Sequence, residues 1–433
     1  MSGIYGGDEV NAIVVEIGTH TTKAGYAGDD VPKAVFPSCL GSVRDGSDAT
    51  DMAIDGRVPP GTRKVFAGQG AVNFPRSNME ILSPFSQDDL LEDWDLAEAL
   101  YNHAFTERLS IRPEDFAVML AEPSHNSRAT REKVVELMFE RFQVPALYLA
   151  KAAVLSSFAM ARQTSLVVDV GHRATSVTAV QDGYVLEKSI CRSPLAGQAL
   201  TQCLMASMES RGESIRPGHT FKRMEVRPGE FKVEDVVTPH ITASFRQYQV
   251  EQIAADAKES ACRALDIPFM EAENANIPNV TYELPDGNEL HIGPDRFKIP
   301  ELLFQPLLVK TFPGMEGMTA FGGGPLLSLQ SLVMESVNRC DVDVRKELYG
   351  GVVLTGGSSL FGSLRERLEK ELLEMGPQTA KFKITAPMNN QERRFSTWIG
   401  GSILGSLGSF QQMWMSKEEY HNHGSSLIHR KAP

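Results

Sequence analysis

Two stretches of this chain repeat one another, and that repetition limits the fold more than any other feature. Residues 13–18 read Ile-Val-Val-Glu-Ile-Gly and residues 166–171 read Leu-Val-Val-Asp-Val-Gly. In each, an apolar β-branched run ends in an acid, one spacer and a glycine, then continues through Thr-rich alternating sequence. The pattern predicts a β-hairpin that turns at the glycine. A third strand-to-glycine signal, residues 352–359 (Val-Val-Leu-Thr-Gly-Gly-Ser-Ser), leads toward a helix predicted over 364–375. Helical periodicity over 128–141 and 151–161 alternates with these strands, so the class is α/β. With 433 residues, a duplicated chain can build two lobes, each with its own core.

Charge and cysteine usage narrow the function classes. Lys and Arg total 43 against 55 Asp and Glu, a net charge of −12, which argues against direct DNA binding driven by phosphate neutralisation. Cys39, Cys191, Cys203, Cys262 and Cys340 are scattered without a C-x-x-C pair, and residues 1–10 lack a basic flank followed by an apolar segment. Both features fit a reducing intracellular compartment. A charge-free stretch lies between Arg394 and Lys417, about as long as a membrane-spanning helix. It is interrupted by Gly400, Gly401, Gly405 and Gly408, while Ile399, Ile403, Leu404, Leu407 and Phe410 recur at helical spacing. It reads as a buried or groove-lining helix rather than a membrane anchor. Residues 41–73 and 311–325 are irregular and Gly/Pro-rich, and are expected to be loops or insertions.

Two acid-x-Gly hairpins and a Gly-Gly turn facing one cleft would suit a nucleotide. Glycine turns expose backbone N–H groups to phosphate oxygens, Thr or Ser hydroxyls add donors, and strand-end acids can hold a hydrated Mg²⁺. Taken singly, each motif is as well explained by a strand ending at a turn or by a helix cap.

The first hairpin extends into residues 23–37, Lys-Ala-Gly-Tyr-Ala-Gly-Asp-Asp-Val-Pro-Lys-Ala-Val-Phe-Pro, which resembles the phosphate-binding opening of actin almost letter for letter. Segments 131–133 (Arg-Glu-Lys), 138–140 (Met-Phe-Glu), 282–287 (Tyr-Glu-Leu-Pro-Asp-Gly), 340–346 (Cys-Asp-Val-Asp-Val-Arg-Lys), 398–404 (Trp-Ile-Gly-Gly-Ser-Ile-Leu), 410–414 and 429–431 resemble actin segments in actin order. The chain is thereby identified as a member of the actin superfamily. Residues 1–10 and 193–197 (Ser-Pro-Leu-Ala-Gly) are similar to the fourth actin-related class, the nuclear subunits of SWI/SNF-type chromatin remodellers and histone-acetyltransferase complexes.

The resemblance implies the fold shared by actin, heat-shock ATPases and sugar kinases, with two α/β lobes around a nucleotide cleft. The first lobe would comprise 1–159 and 396–433, with a small subdomain at about 38–76. The second would comprise 160–395, with a small subdomain at about 197–310 and an inserted loop at about 311–325. ATP or ADP with Mg²⁺ would be held by Glu16, Gly18, Thr19, His20 and Lys23 of the first loop and by Asp169 and Gly171 of the second. Lys258, Glu259, Gly356, Gly357, Ser358, Phe361 and Arg394 would serve the nucleoside side. Glu16 and Asp169 would hold the metal through water.

Departures from actin bear on chemistry. Glu16 replaces an Asp, His20 replaces a glycine after the loop hydroxyl, and His172 and Arg173 replace an acid and a glycine in the second loop. The glutamine and histidine that orient and activate water in actin correspond to Ala152 and Ser176. Ala152 has no hydrogen-bonding side chain, and a Ser hydroxyl is a poor base, so hydrolysis is expected to fall by roughly 10²–10⁴. Two histidines in turns without a third ligand are expected to be solvated or hydrogen-bonded surface residues, and no zinc is assigned.

The resemblance therefore implies a non-filamentous nuclear actin-related subunit, also compatible with a cytoplasmic pool. It would be a pseudo-ATPase with at most weak residual hydrolysis, and would dock a helical segment of a remodeller ATPase. An actin monomer and other chromatin-complex subunits would lie alongside. The docking groove would be lined by Phe158, Ile399, Ile403, Leu404, Leu407 and Met413, with the helix glycines permitting close approach of the partner. The alternatives are an active ATPase of the same fold and a filament-forming actin-like protein.

Overall fold

The computed structural model describes residues 12–44, 63–228, 230–274 and 276–433. The likeness to the fourth actin-related class at residues 1–10 therefore lies outside the described residues, as does most of the irregular segment 41–73.

Two six-stranded sheets organise the molecule, and the repeated segments occupy equivalent places in them. Ala12–Ile17 pairs antiparallel with Thr21–Tyr26, Ile17 opposite Thr22, and pairs parallel with Ala117–Glu122 on its other side. Ser165–Val170 pairs antiparallel with Thr175–Gln181, Val170 opposite Thr175, and pairs parallel with Val352–Thr355. The first sheet runs Met415–Ser416, Ala146–Lys151, Ala117–Glu122, Ala12–Ile17, Thr21–Tyr26, Ala34–Pro37. In the second, the order is Tyr184–Val185, Thr175–Gln181, Ser165–Val170, Val352–Thr355, Ile384–Thr385, with Cys191–Ser193 added to Thr175–Gln181.

Both sheets are covered on two faces, which is why their central strands read as continuous apolar runs rather than alternating ones. Ile13 and Val15 face a core containing Leu96, Phe105 and Phe139, whereas Val14 and Met119 face Trp398 and Leu404. In the other lobe Leu166, Val168 and Val170 pack among Leu200, Val333 and Leu368, while Val167 and Val353 face Ala153. The helices Ala152–Ala159 and Ser396–Ser406 pack on each other between the sheets. Trp398, fully buried, donates its indole N–H to the carbonyl of Val14 at 3.0 Å and ties this central layer to the first hairpin. The mixed α/β, two-lobed architecture expected from the sequence is thus the one observed.

Several local expectations need correction. The segment 41–73 was expected to be loop, but Leu40–Arg44 and Arg63–Phe66 are strands of a small three-stranded sheet with Glu80–Leu82, and Gln69–Asn73 is a short helix. Lys151 ends a strand, and the helix starts at Ala152. The Lys151 ammonium reaches Glu122 at 2.9 Å, a contact that holds it in strand register. Residues 364–375 are helical as predicted, and 128–141 form Arg128–Glu136 continued by a wider turn over Leu137–Arg141. The 395–416 stretch gives an 11-residue helix, and among the described residues no helix is long and apolar enough to cross a membrane.

Above the sheets, the first lobe's small sheet meets the helix Ala243–Ala261 of the second lobe. Asn78 N–H donates to the carbonyl of His240 at 2.8 Å, and Ile81 N–H donates to Ser244 Oγ at 3.0 Å. Thr242 Oγ1 bonds the carbonyl of Met79, and Ser244 bonds Glu80. These contacts bridge the two lobes beside the space between them.

Candidate functional site

The two hairpin turns point at one another across a cavity of 850 Å³ between the lobes. Each turn is built the same way: Gly18 N–H donates to Thr21 O at 3.2 Å, and Gly171 N–H donates to Ala174 O at 3.1 Å. A Cβ on Gly171 would come within 2.9 Å of that carbonyl, so a larger residue would push the tip open.

The third glycine signal completes the floor. Gly356 has φ +92°, and a Cβ there would lie 2.3 Å from Asp169 Oδ1. Only glycine lets the turn after Val352–Thr355 press against the acid of the second hairpin. Around it the second loop is pinned: Ser358 Oγ and Gly197 N–H donate to Gly171 O at 2.8 and 3.0 Å, and Gln198 N–H donates to His172 O at 2.7 Å. Lys258 Nζ donates to Gly197 O and Thr201 Oγ1, both at 2.8 Å, so this lysine is buried structural support as well as cavity wall. Burial holds its pKa below the usual lysine value.

The acids are arranged for a cation. Glu16 Oε1 accepts from Lys23 at 2.5 Å, while Glu16 Oε2 is buried with no hydrogen-bond partner among the described residues. Burial first, and then the charge of Glu16, push Asp169 up to about 6, offset in part by Lys23. An Asp169 carboxyl whose charge is disfavoured by burial and by Glu16, with a Glu16 oxygen that has no hydrogen-bond partner among the described residues, fits a hydrated divalent ion. The residues therefore fit a Mg²⁺-nucleotide: Gly18, Thr19, His20 and Lys23 would face the phosphates from one lobe and Gly171 from the other, and Glu16 and Asp169 would face the metal.

The histidines depart from expectation. His20 and His172 are half-buried in the cavity wall rather than on the outer surface, and their rings meet across the two loops with centroids 4.4 Å apart. Burial, followed by Arg394, Lys23 and Lys258, pushes His20 down to about 4. Burial, followed by His20, Lys258 and Arg173, holds His172 well below its usual value. Both rings are neutral near pH 7.

Of the fourteen positions expected around the nucleotide, thirteen line the cavity: Glu16, Gly18, Thr19, His20, Lys23, Asp169, Gly171, Lys258, Glu259, Gly356, Gly357, Ser358 and Arg394. Phe361 does not. It is buried in the second lobe's core, because the residues after Gly356 turn it inward. Ala152 and Ser176 also face the cavity, Ser176 directly opposite Asp169 in the strand register.

A group missed in the sequence lies at the back of the cavity. Asp89 sits between Arg173 Nε at 3.2 Å and Arg192 Nη2 at 2.7 Å, and His125 Nε2 lies 2.9 Å from the carbonyl of Asp88. Asp88-Asp89 and a lone Arg192 carry no spacing that links them, so only the fold brings them together.

The expected partner groove is split. Ile403, Leu407 and Met413 are 39–40% exposed, whereas Phe158 and Ile399 are half-buried and Leu404 is buried against Leu155, Trp398 and Trp414. The helix glycines serve internal packing: a Cβ on Gly400 would lie 1.8 Å from the carbonyl of Leu155, and one on Gly401 2.8 Å from Val14. Of the four, only Gly408 faces open space.

The family model described as Actin matches residues 7–433. The chain is similar to Actin-related protein 4 of Arabidopsis thaliana, 50% identical over 444 residues that cover 99% of this chain and all of the relative. It is also similar to Actin-related protein 4 of Yarrowia lipolytica, at 34% identity over 99% of this chain and 97% of the relative. The protein of that name in Mycosarcoma maydis is 32% identical over the whole of both chains.

Proposed function

Because the chain belongs to the actin family, we propose that it is a non-filamentous actin-related subunit that holds ATP or ADP with Mg²⁺ as a structural ligand and turns it over poorly. The observation that carries this reading is the pairing of a complete phosphate cradle with a missing water-activating pair. Lys23, Thr19 and the two glycine turns line the cavity, and so do Ala152 and Ser176, which the resemblance puts at the positions that would orient and activate water. Bound Mg²⁺ would supply charge neutralisation at the phosphates.

Ser176 is a weak base at neutral pH, and Ala152 offers no hydrogen bond. The neutral rings of His20 and His172 are weak proton acceptors, since burial and neighbouring cations disfavour their protonated forms. This argues against the rival reading, an active ATPase or kinase.

The resemblance to the fourth actin-related class extends the proposal to the nucleus. There the chain would be a subunit of a chromatin-remodelling or acetyltransferase complex, beside an actin monomer, with a helical segment of the remodeller ATPase docked at the exposed Ile403, Leu407 and Met413. The net charge of −12 argues against direct DNA contact.

Melting of the purified chain with and without ATP and Mg²⁺ tests the ligand. At a hundredfold excess over Kd, stabilisation should reach about 2.7 kcal/mol. An unchanged melting curve, with no adenine nucleotide released on heating, would refute it.

A further inference from the structure

The ion pairs at the back of the cavity cross from one lobe to the other. Asp89 belongs to the first lobe, in a loop fixed by Ser86 N–H to Leu90 O at 2.8 Å and Asp89 N–H to Ser86 O at 3.3 Å. Arg173 is at the tip of the second glycine loop, directly after His172. The two arginines on Asp89 are not equivalent. Arg192 grips one carboxylate oxygen at 2.7 Å, with its guanidinium over the ring of Phe321 at 4.1 Å from the centroid, and its side chain is 11% exposed. Arg173 approaches the other oxygen through Nε at 3.2 Å, an ion pair without hydrogen-bond geometry, and its side chain is 23% exposed and lines the same cavity as Lys23 and Thr19. Among the described residues no hydrogen bond occupies its terminal nitrogens.

A buried carboxylate stripped of its partner is costly, but Asp89 would keep Arg192 if Arg173 left. Arg173 is therefore exchangeable, whereas Arg192 is held in place. Guanidinium forks bind phosphate oxygens in pairs, and a terminal phosphate carries more charge than one carboxylate.

We infer that Arg173 reads the terminal phosphate of a bound nucleoside triphosphate, exchanging its contact with Asp89 for that phosphate and thereby releasing one of the two ion pairs that join the lobes at the back of the cavity. The inference rests on the nucleotide reading above and adds a preference for triphosphate over diphosphate. It also assigns Asp89 a role as competitor for Arg173, with Arg192 as the group that keeps Asp89 paired in either state.

The test is the ratio of ADP to ATP dissociation constants, measured by calorimetry with Mg²⁺ on the full chain and two variants, with melting curves to show that each is folded. The original chain should bind ATP at least about tenfold more tightly than ADP, which corresponds to about 1.4 kcal/mol. Arg173→Gln should cut ATP affinity by about tenfold and leave ADP within about twofold. Asp89→Asn should act in the opposite direction, because it frees Arg173, and ATP affinity should rise several-fold with ADP unchanged. Asn also tolerates the left-handed backbone at this position, φ 60°. If Arg173→Gln weakens both nucleotides alike, or if Asp89→Asn leaves the ratio where it was, the inference is overturned while nucleotide binding stands. If the original chain binds neither nucleotide, both this inference and the reading beneath it fall.

Discussion

His20 and His172 show how a single side chain alters a phosphate loop. Each adds an imidazole at a loop tip, and the two rings meet 4.4 Å apart in the space between the lobes. His20 has its folded-state pKa at about 4, below the ordinary 6.5, because burial and the cations Arg394, Lys23 and Lys258 disfavour its charged form. The folded chain thus binds that proton more weakly than the unfolded chain. The contribution is complete above pH 6.5 and drains away as pH falls from 6.5 toward 4. The ligand-free protein should therefore lose on the order of 2–3 kcal/mol from this group over that interval. His20→Gln should flatten the acid limb of a stability profile measured by urea unfolding from pH 7 to 4.5. An identical acid limb in the variant would contradict the assignment. Much at this scale was legible in the sequence. The acid-x-Gly spacing marks Glu16, Gly18, Asp169 and Gly171 because the chemistry sits within six consecutive residues. The partnership of Asp89 with Arg173 and Arg192 was not legible, since it joins three segments that only tertiary structure brings together. Phe361 was misplaced because the backbone after Gly356 turns its ring into the core rather than toward the ligand.

The helix Ser396–Ser406 shows the limit of periodicity as a guide to what an element faces. An apolar stripe at helical spacing says that something covers it, not whether the cover belongs to the same chain. Here Leu404 is covered by Leu155, Trp398 and Trp414, and the glycines bring the helix against Leu155 and Val14. A substitution series separates the two roles. Gly400→Ala would force a methyl against a main-chain carbonyl and should cost roughly 3 kcal/mol or more of stability. Leu404→Asp would bury an unpaired carboxylate and should prevent stable folding. Leu407→Asp, at a position 40% exposed, should melt within about 0.5 kcal/mol of the original chain while losing at least about tenfold in affinity for an amphipathic remodeller helix. Full-strength helix capture by the Leu407→Asp variant would place the docking surface elsewhere. The hairpins were the more legible elements, because each acid-x-Gly signal is followed by a second alternating strand, and the observed registers place both turns after Ile17 and Val170. The strands of the small sheet were obscured by the Gly/Pro-rich composition of 41–73, although Leu40–Arg44 pairs with Arg63–Phe66 on one side and Glu80–Leu82 on the other.

At the scale of the whole molecule, the duplicated hairpins place one glycine loop in each lobe, so a ligand between them would contact both halves of the chain. The lobes also join above the sheets, through the backbone bond from Asn78 to His240 and the Ser244 contacts, and at the back, through Asp89. A nucleotide held between the lobes would be positioned from both sides, and positioning is most of what phosphoryl transfer requires. The remaining requirement is a group that orients and deprotonates water, and Ala152 and Ser176 do not supply it. On the proposed reading, a nucleotide held here without an activated water would be retained rather than turned over. The direct measurement is the fate of γ-labelled ATP bound stoichiometrically to the purified chain with Mg²⁺, followed as released phosphate beside nucleotide recovered by heating. The account predicts that nearly all the nucleotide recovered after hours is still ATP, with a hydrolysis rate roughly 10²–10⁴ below that of actin monitored in the same way. Conversion of the bound ATP to ADP and phosphate at an actin-like rate would contradict it.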